Sequence, residues 1–203
     1  MKKIYLFTIF LLFTSILSAQ LRYGVKGGFN FASFGGSDAK DVKSVTRFQF
    51  GGYVNYSLPV LFGFQAEALY SMKGAQQKLR DDAGNNWTAS YNIDYLEIPV
   101  LIQLNIPLAV PLPLSPYLEV GPSLGVTLSA KEKLETQGFS QERDFKNDVT
   151  STDFGLALGF GFNVLKTFGV NLRYTFGFNT VDNTADPDDI KNSVVALSLN
   201  YNF

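Results

Sequence analysis

Seven charged residues stand within stretches that otherwise alternate apolar side chains with glycine, amides and small residues: Lys26, Arg47, Glu67, Lys73, Glu97, Glu119 and Arg173. On strands, that parity turns all seven toward one interior surface. Buried charges survive only when paired and hydrogen-bonded, so the expectation is a mixed-sign network. Such a network serves either as a proton or ion path, or gate, or as a structural plug, and a narrow interior favours the plug. Other chemistry finds little support. The chain has no His and no Cys, which excludes Ser–His–Asp hydrolysis and zinc sites built on His. Asp182, Asp186, Asp188 and Asp189 supply oxygen ligands of the kind that hold Ca²⁺, but their spacing is not that of an EF-hand, and a solvated loop is the simpler account. Gly27-Gly28 and Gly159-Phe160-Gly161 lie within strands with no helix behind them, so neither is a phosphate loop. Asp81-Asp82, Glu132 and Glu135 read as loop solvation, and Trp87 as an interfacial anchor, with contact to a ligand as the alternative. No catalytic residue, metal site or cofactor is assigned.

The elements that position these charges show most clearly in residues 168–178. Phe168, Val170, Leu172, Tyr174, Phe176 and Phe178 are all apolar, and Gly169, Asn171, Arg173, Thr175 and Gly177 alternate with them. A period of two is a strand signature that no helix produces. The pattern recurs from Leu21 to Phe31, Phe48 to Leu58, Phe62 to Met72, Leu96 to Leu104, Leu118 to Leu128, Phe154 to Val164 and Val195 to Phe203. Tyr91, Ile93 and Tyr95 occupy the opposite parity to Leu96 onward, which a bulge or a strand reaching beyond the membrane would explain. Links at 59–61 and 165–167 are tight, and 105–116 is longer and rich in proline. Links at 35–46, 74–90, 130–152 and 180–192 are long and polar. Short links at one end and long ones at the other describe an all-β, eight-stranded antiparallel up-and-down transmembrane β-barrel.

Periodicity does not say which face looks outward, but volume does. The apolar faces carry about forty side chains, too many for the interior of an eight-stranded barrel. They also carry no charge, as lipid requires, while Gly51, Gly63, Gly121, Gly125, Gly159, Gly161, Gly169 and Gly177 suit a crowded lumen. Residues 1–19 read as a cleaved signal peptide, with Lys2 and Lys3 ahead of the apolar run from Ile4 to Leu17 and small Ser18 and Ala19 at the cut. Residues 20–203 then form the barrel domain. Without Lys2 and Lys3, 15 basic residues face 18 acidic ones, a net charge of −3 that offers no footprint for nucleic acid. The expected location is the bacterial outer membrane, with its lipid as the first partner.

Several blocks resemble the PorT-like outer membrane β-barrel family of Bacteroidetes. Asp94-Tyr95-Leu96-Glu97-Ile98-Pro99-Val100-Leu101 is similar to its Tyr-Leu-Glu-Ile-Pro strand, and Pro116-Tyr117-Leu118-Glu119-Val120-Gly121-Pro122 to the strand that follows. Tyr23-Gly24-Val25-Lys26-Gly27-Gly28-Phe29-Asn30, Leu172-Arg173-Tyr174-Thr175-Phe176-Gly177 and Leu197-Ser198-Leu199-Asn200-Tyr201-Asn202-Phe203 resemble its first and last strands. The resemblance implies a barrel and its membrane. The expected function is a non-enzymatic barrel with a structural, docking or secretion-accessory role, acting through its loops on other cell-envelope proteins. The rival classes are a membrane-embedded enzyme acting on lipid and a narrow pore for small solutes or ions. The enzyme lacks a His base, and eight strands leave too little bore for an open channel.

Tyr201 and Phe203 also resemble the terminal aromatic signal that bacterial barrel-assembly machinery reads. If they serve only as lipid-facing area, burial of Phe203 is worth about 1.5–3 kcal/mol and Phe203→Leu is nearly silent. If they serve assembly, deletion of Phe203 is expected to leave protease-sensitive protein in the periplasm that still refolds in detergent once purified. Normal outer-membrane levels of the deletion variant, measured by cell fractionation, would rule the assembly role out.

Overall fold

The computed structural model describes residues 20–37, 39, 42–58, 61–80, 86–108, 113–136, 139–184 and 189–203. The proposed signal peptide, residues 1–19, lies outside them. Among these residues nine strands form: β1 (Gln20–Gly35), β2 (Val42–Ser57), β3 (Phe62–Arg80), β4 (Asn86–Asn105), β5 (Leu114–Thr136), β6 (Phe139–Asp144), β7 (Thr152–Val164), β8 (Phe168–Gly177) and β9 (Lys191–Asn202). Eight of them close into an antiparallel ring in the order β1-β2-β3-β4-β5-β7-β8-β9, with β9 pairing back onto β1 from Gly24↔Asn202 to Gly35↔Lys191. The ninth, β6, stands outside the ring and pairs with the end of β5, from Lys131↔Asp144 to Thr136↔Phe139. The described residues hold no helix beyond a 3-10 turn at Lys146–Asp148.

Parity sorts the side chains. In β9, Asn192, Val194, Ala196, Ser198 and Asn200 are buried, while Val195, Leu197, Leu199 and Tyr201 are exposed. The same split runs through Phe62, Phe64, Val100, Ile102, Leu118, Val120, Phe154, Leu158 and Phe160, all facing outward. This outer belt is apolar and the inner face polar, the reverse of a soluble barrel and the pattern of a wall in lipid. The ring closes at its C-terminal edge, where the Phe203 amide donates to the Tyr23 carbonyl at 3.0 Å. The Phe203 ring lies 5.6 Å from that of Tyr23 and 5.4 Å from that of Tyr201, so the terminal aromatics bridge the seam on its lipid side.

Two sequence expectations need correction. The links read as polar loops at 74–90 and 130–152 are largely strand. β3 and β4 pair out to Arg80↔Asn86, and β5 runs on to meet β6. The residues there are polar because they rise past the apolar band, and polarity outside lipid does not prevent pairing. The second correction concerns Tyr91, Ile93 and Tyr95. Buried Ile93 and Tyr95 share the inward parity of Glu97, Pro99 and Leu101, so β4 keeps its phase and the lumen lining turns apolar above Glu97. A register shift does occur opposite, where Asp94 pairs Ser129 and Tyr95 pairs Thr127, leaving Leu128 bulged out of β5. A further irregularity separates Ser44 from Gln49 in β2. Nearby, Gly74 has φ +147°, and a Cβ there would lie 1.9 Å from the Tyr91 carbonyl oxygen, so only glycine fits.

The β7–β8 turn is the tightest at the short-linked end. Leu165 and Lys166 have φ of 51° and 63°, and the Thr167 amide donates to the Val164 carbonyl at 3.2 Å. Two successive left-handed residues make a type I′ turn, which matches strand twist but suits Asn-Gly far better than Leu-Lys. Replacing the pair by Leu165→Asn and Lys166→Gly is expected to raise stability by about 1–2 kcal/mol. The urea midpoint of the gel-mobility transition in detergent measures it, and an unchanged or lower midpoint would contradict the strain.

Candidate functional site

The lumen is built by parity and by glycine. A Cβ on Gly159 would stand 2.8 Å from Glu119 Oε1, one on Gly161 2.6 Å from the Tyr117 ring, and one on Gly24 2.5 Å from the Tyr53 hydroxyl. Their absence opens room for large side chains from the facing strands. Tyr53, Tyr95 and Tyr117 all lie buried in the bore.

Four charges meet at the centre. Arg173 grips Glu67 in bidentate fashion, Nη1 to Oε2 at 2.8 Å and Nη2 to Oε1 at 2.7 Å. Its Nε donates to Glu119 Oε1 at 2.7 Å. Lys26 Nζ donates to Glu67 Oε1 at 2.7 Å. The four residues come from β1, β3, β5 and β8, every second strand of the ring, so the cluster ties opposite walls together. Its charge is balanced, two cations against two carboxylates. Amides complete the acceptors: Gln65 donates to Glu67 at 2.6 Å, Asn171 to Glu119 at 3.0 Å and Gln103 to Glu119 at 3.3 Å. Fork-to-fork geometry of this kind is the strong form of a buried ion pair.

A second cluster sits toward the long-linked end. Lys73 Nζ lies 3.1 Å from Asp153 Oδ2 and 3.4 Å from Glu97 Oε1, and 4.9 Å from the centre of the Tyr95 ring. Ser123 donates to Glu97 at 2.9 Å. Asn192 donates to Asp153 at 2.9 Å and to the Tyr95 hydroxyl at 3.1 Å. One cation faces two carboxylates here, a net charge of −1.

Six of the seven charges singled out in the sequence therefore fall into these two clusters. Arg47 does not. It is half-buried beside the β2 irregularity, where the ladder to β3 is interrupted, and its guanidinium donates to the Asn92 side chain instead of a carboxylate. Sequence reading missed Asp153, although Phe154 and Leu156 facing outward put it on the inner face. It also missed the amide layer below the central cluster, where Asn55 donates to Gln103 at 2.8 Å and to Gln65 at 3.2 Å. The free space beside these amides is about 10 Å³, at most about one water.

Above the second cluster the bore is closed by apolar side chains. Ile93, Tyr95 and Ala130 from the wall pack with Val149 and Val181. The last two belong to segments that fold back into the mouth, bridged by Val149↔Asp182 and by the Thr150 amide donating to the Val181 carbonyl at 2.8 Å. The sequence showed both as loop. Of the acidic loop at 182–189, Asp186 and Asp188 lie outside the described residues. Asp182 accepts from the Thr184 amide and hydroxyl at 2.9 and 3.0 Å, and Asp189 lies 2.7 Å from Lys191. No group of three metal-ligating side chains occurs among the described residues.

The sequence profile of the outer membrane protein beta-barrel domain matches residues 17–183. The chain belongs to that family. This outer-membrane barrel matches no curated protein sequence significantly. Among solved structures it is similar to Ail of Yersinia pestis, at 14% identity over 90% of this chain and 98% of that one, TM-score 0.43. It is also similar to Neisserial surface protein A, at 13% identity over 89% and 97%, TM-score 0.47. A third likeness is to OprG of Pseudomonas aeruginosa, at 17% identity over 90% and 94%, TM-score 0.45. Family membership and the lipid-facing belt place the barrel in the bacterial outer membrane.

The two clusters respond differently to loss of one partner. Glu67→Ala strands Lys26 and leaves Arg173 only its Nε contact to Glu119, and is expected to cost about 3–5 kcal/mol, as breaking a buried pair does. Glu97→Ala leaves Lys73 on Asp153 and is expected to cost clearly less. Urea unfolding in detergent, followed by gel mobility, measures both. Equal losses would contradict the division into two clusters.

Proposed function

We propose that the protein is a non-enzymatic outer-membrane barrel with a closed lumen, working as a docking element through the wall it raises above the membrane. The observation that carries this reading is the Lys26–Glu67–Arg173–Glu119 cluster, which spans the bore from every second strand. The raised wall supports the docking part. β3, β4 and β5 have 19, 20 and 23 residues, against 10 and 12 in β8 and β9, so one side of the ring stands well above the other. At its top, β6 pairs with β5 alone among the described strands and all six of its residues are exposed. A strand edge of that kind offers backbone donors and acceptors to an extended partner segment. Trp87 and Phe139 meet edge to face at 6.1 Å on the same ribbon, which moves Trp87 from a membrane anchor toward the raised surface. The finer placement among PorT-like barrels, with a secretion-accessory role, rests on the Tyr95–Val100 and Tyr23–Asn30 blocks. Export through a cleaved signal and insertion by the barrel-assembly machinery through Tyr201 and Phe203 complete the reading.

Purified protein in planar bilayers is expected to show no sustained open state, and steady large conductance would overturn the closed barrel. In cells, a photo-crosslinking residue at Phe139 is expected to capture a discrete envelope protein, and crosslinks to lipid alone would overturn docking through this ribbon.

A further inference from the structure

Beyond the amide layer the bore ends at the short-linked mouth, the periplasmic end in barrels of this kind. Arg22 stands there on β1, half-buried. Its Nη2 donates to Ser57 Oγ at 2.8 Å and to Asn55 Oδ1 at 3.2 Å, and both acceptors are neutral. Its Nε is buried without an acceptor. By contrast, Lys26, Lys73 and Arg173 each have a carboxylate oxygen within 3.1 Å. Arg22 has none among the described residues.

The sign of this end can be read in full. Residues 59–60 and 109–112, which link β2 to β3 and β4 to β5, contain no Asp, Glu, Lys or Arg. Residues 1–19 contain Lys2 and Lys3 but no acid. Lys166 in the β7–β8 turn adds a second cation. The carboxylate at Phe203, on the lipid-facing parity of β9, makes no ion pair with either cation among the described residues. Glu67 and Glu119, deeper in the bore, are already matched by Lys26 and Arg173. The mouth is therefore positive, and Arg22 is its uncompensated charge.

Arg22 borders the space of about 10 Å³ beside the amides, together with Asn163, Asn200 and Tyr117. Asn163 and Asn200 donate no side-chain hydrogen bond among the described residues, so their Nδ2 groups are free to donate. Asn200 Oδ1 is buried without a donor, and turning that amide over brings Nδ2 into its place. A half-buried guanidinium beside two such amides suits an anion, since charge-assisted hydrogen bonds are the strong ones. The room selects the kind of anion. It admits about one water-sized atom, hence one oxygen of a flat carboxylate whose other oxygen stays in water. A single cation also matches a monoanion, whereas a phosphate monoester would bring about −1.5 to −2 charges.

We propose that the short-linked mouth binds a small monocarboxylate, one oxygen of which enters the space between Arg22, Asn163 and Asn200. The site goes beyond the docking reading and is independent of it, because it lies at the opposite end of the barrel from β6. The ligand stops at the amide layer, so the site is one of recognition and not of transport.

The test uses the full mature barrel, labelled with nitrogen-15, in nanodiscs of zwitterionic lipid. Acetate and acetamide serve as probes that share a shape and differ in charge. Acetate is expected to shift the Arg22 guanidinium and the Asn163 and Asn200 side-chain amide signals saturably, and acetamide at least tenfold more weakly. Arg22→Gln keeps a donor for Asn55 and Ser57 without the charge. It is expected to weaken acetate at least tenfold in protein that still shows the folded gel mobility. Asn163→Asp supplies a carboxylate from the wall itself, and is expected to abolish the acetate response and raise the urea midpoint. That second variant keeps the site testable if Arg22→Gln fails to fold. Equal responses to acetate and acetamide would overturn the anion assignment. Chloride that reproduces the acetate shifts at equal concentration would overturn the carboxylate. An undiminished response in Arg22→Gln would overturn the role of Arg22. Shifts confined to Lys166 would show surface screening and overturn the site. Neither conductance nor crosslinking at Phe139 enters these outcomes, so failure here and failure of the docking reading remain separate.

Discussion

Lipid offers no hydrogen bonds, so each backbone amide and carbonyl within the bilayer must find its partner in the protein. An open sheet leaves two edges unpaired at a cost of several kcal/mol per group, and the ring is the solution. Closure of β9 on β1 through twelve successive residue pairs therefore governs the rest of the structure. Once the ring is closed, parity has a fixed meaning. Every odd or even position in a given strand faces either hydrocarbon or a bore too narrow for water to fill freely. The outer positions become Phe, Leu, Val and Tyr because lipid penalises anything charged. The inner positions take the charges of the two lumen clusters, and the bore then decides how those charges must meet.

The inner charges are costly to desolvate, and the geometry shows how the cost is offset. Arg173 uses both Nη atoms on Glu67 and its Nε on Glu119, so three of its donors meet carboxylate oxygens at 2.7–2.8 Å. Amides from Gln65, Gln103 and Asn171 take up further acceptor positions. Glycine supplies the room. Tyr117 packs where Gly161 has no Cβ, Glu119 where Gly159 has none, and Tyr53 where Gly24 has none. Large and small side chains alternate around the bore, which fills a taper that uniform side chains would leave either void or overpacked.

Much of this was legible in the sequence because a period of two is a strong signal when one face meets lipid. Phe168 to Phe178 alone specify a strand and its outward face, and the same parity assigns Lys26, Glu67, Glu97, Glu119 and Arg173 to the interior. Legibility ended where the environment changed. Above the apolar band neither face of a strand meets hydrocarbon, so Lys131 to Thr136 and Phe139 to Asp144 pair without any alternation to mark them. Tyr91, Ile93 and Tyr95 looked out of phase because the lumen itself becomes apolar at that height. Asp153 was overlooked since it opens a strand whose outer face draws the attention. Val149 and Val181 could not be placed from spacing at all, because a loop that folds inward keeps no period. Arg47 failed for a related reason. It obeys parity, but the β2 irregularity beside it is a tertiary event that spacing does not show.

The inward fold of those two loops changes the physics of everything beneath it. Val149 and Val181 cover Tyr95, and Tyr95 covers the Lys73 cluster, so the charges are separated from the outer medium by a layer of packed carbon. In such surroundings the effective dielectric is low, which strengthens each satisfied pair and makes each unsatisfied one costlier. The bore is thus held by interactions that water would weaken, and the seal that excludes water is part of what holds them. A molecule arriving from outside meets this seal before any charge of the lumen. Under the docking reading proposed above, recognition falls to surfaces above the seal, the raised β5–β6 ribbon first among them. The wall beneath fixes where those surfaces stand, and the ring fixes the wall.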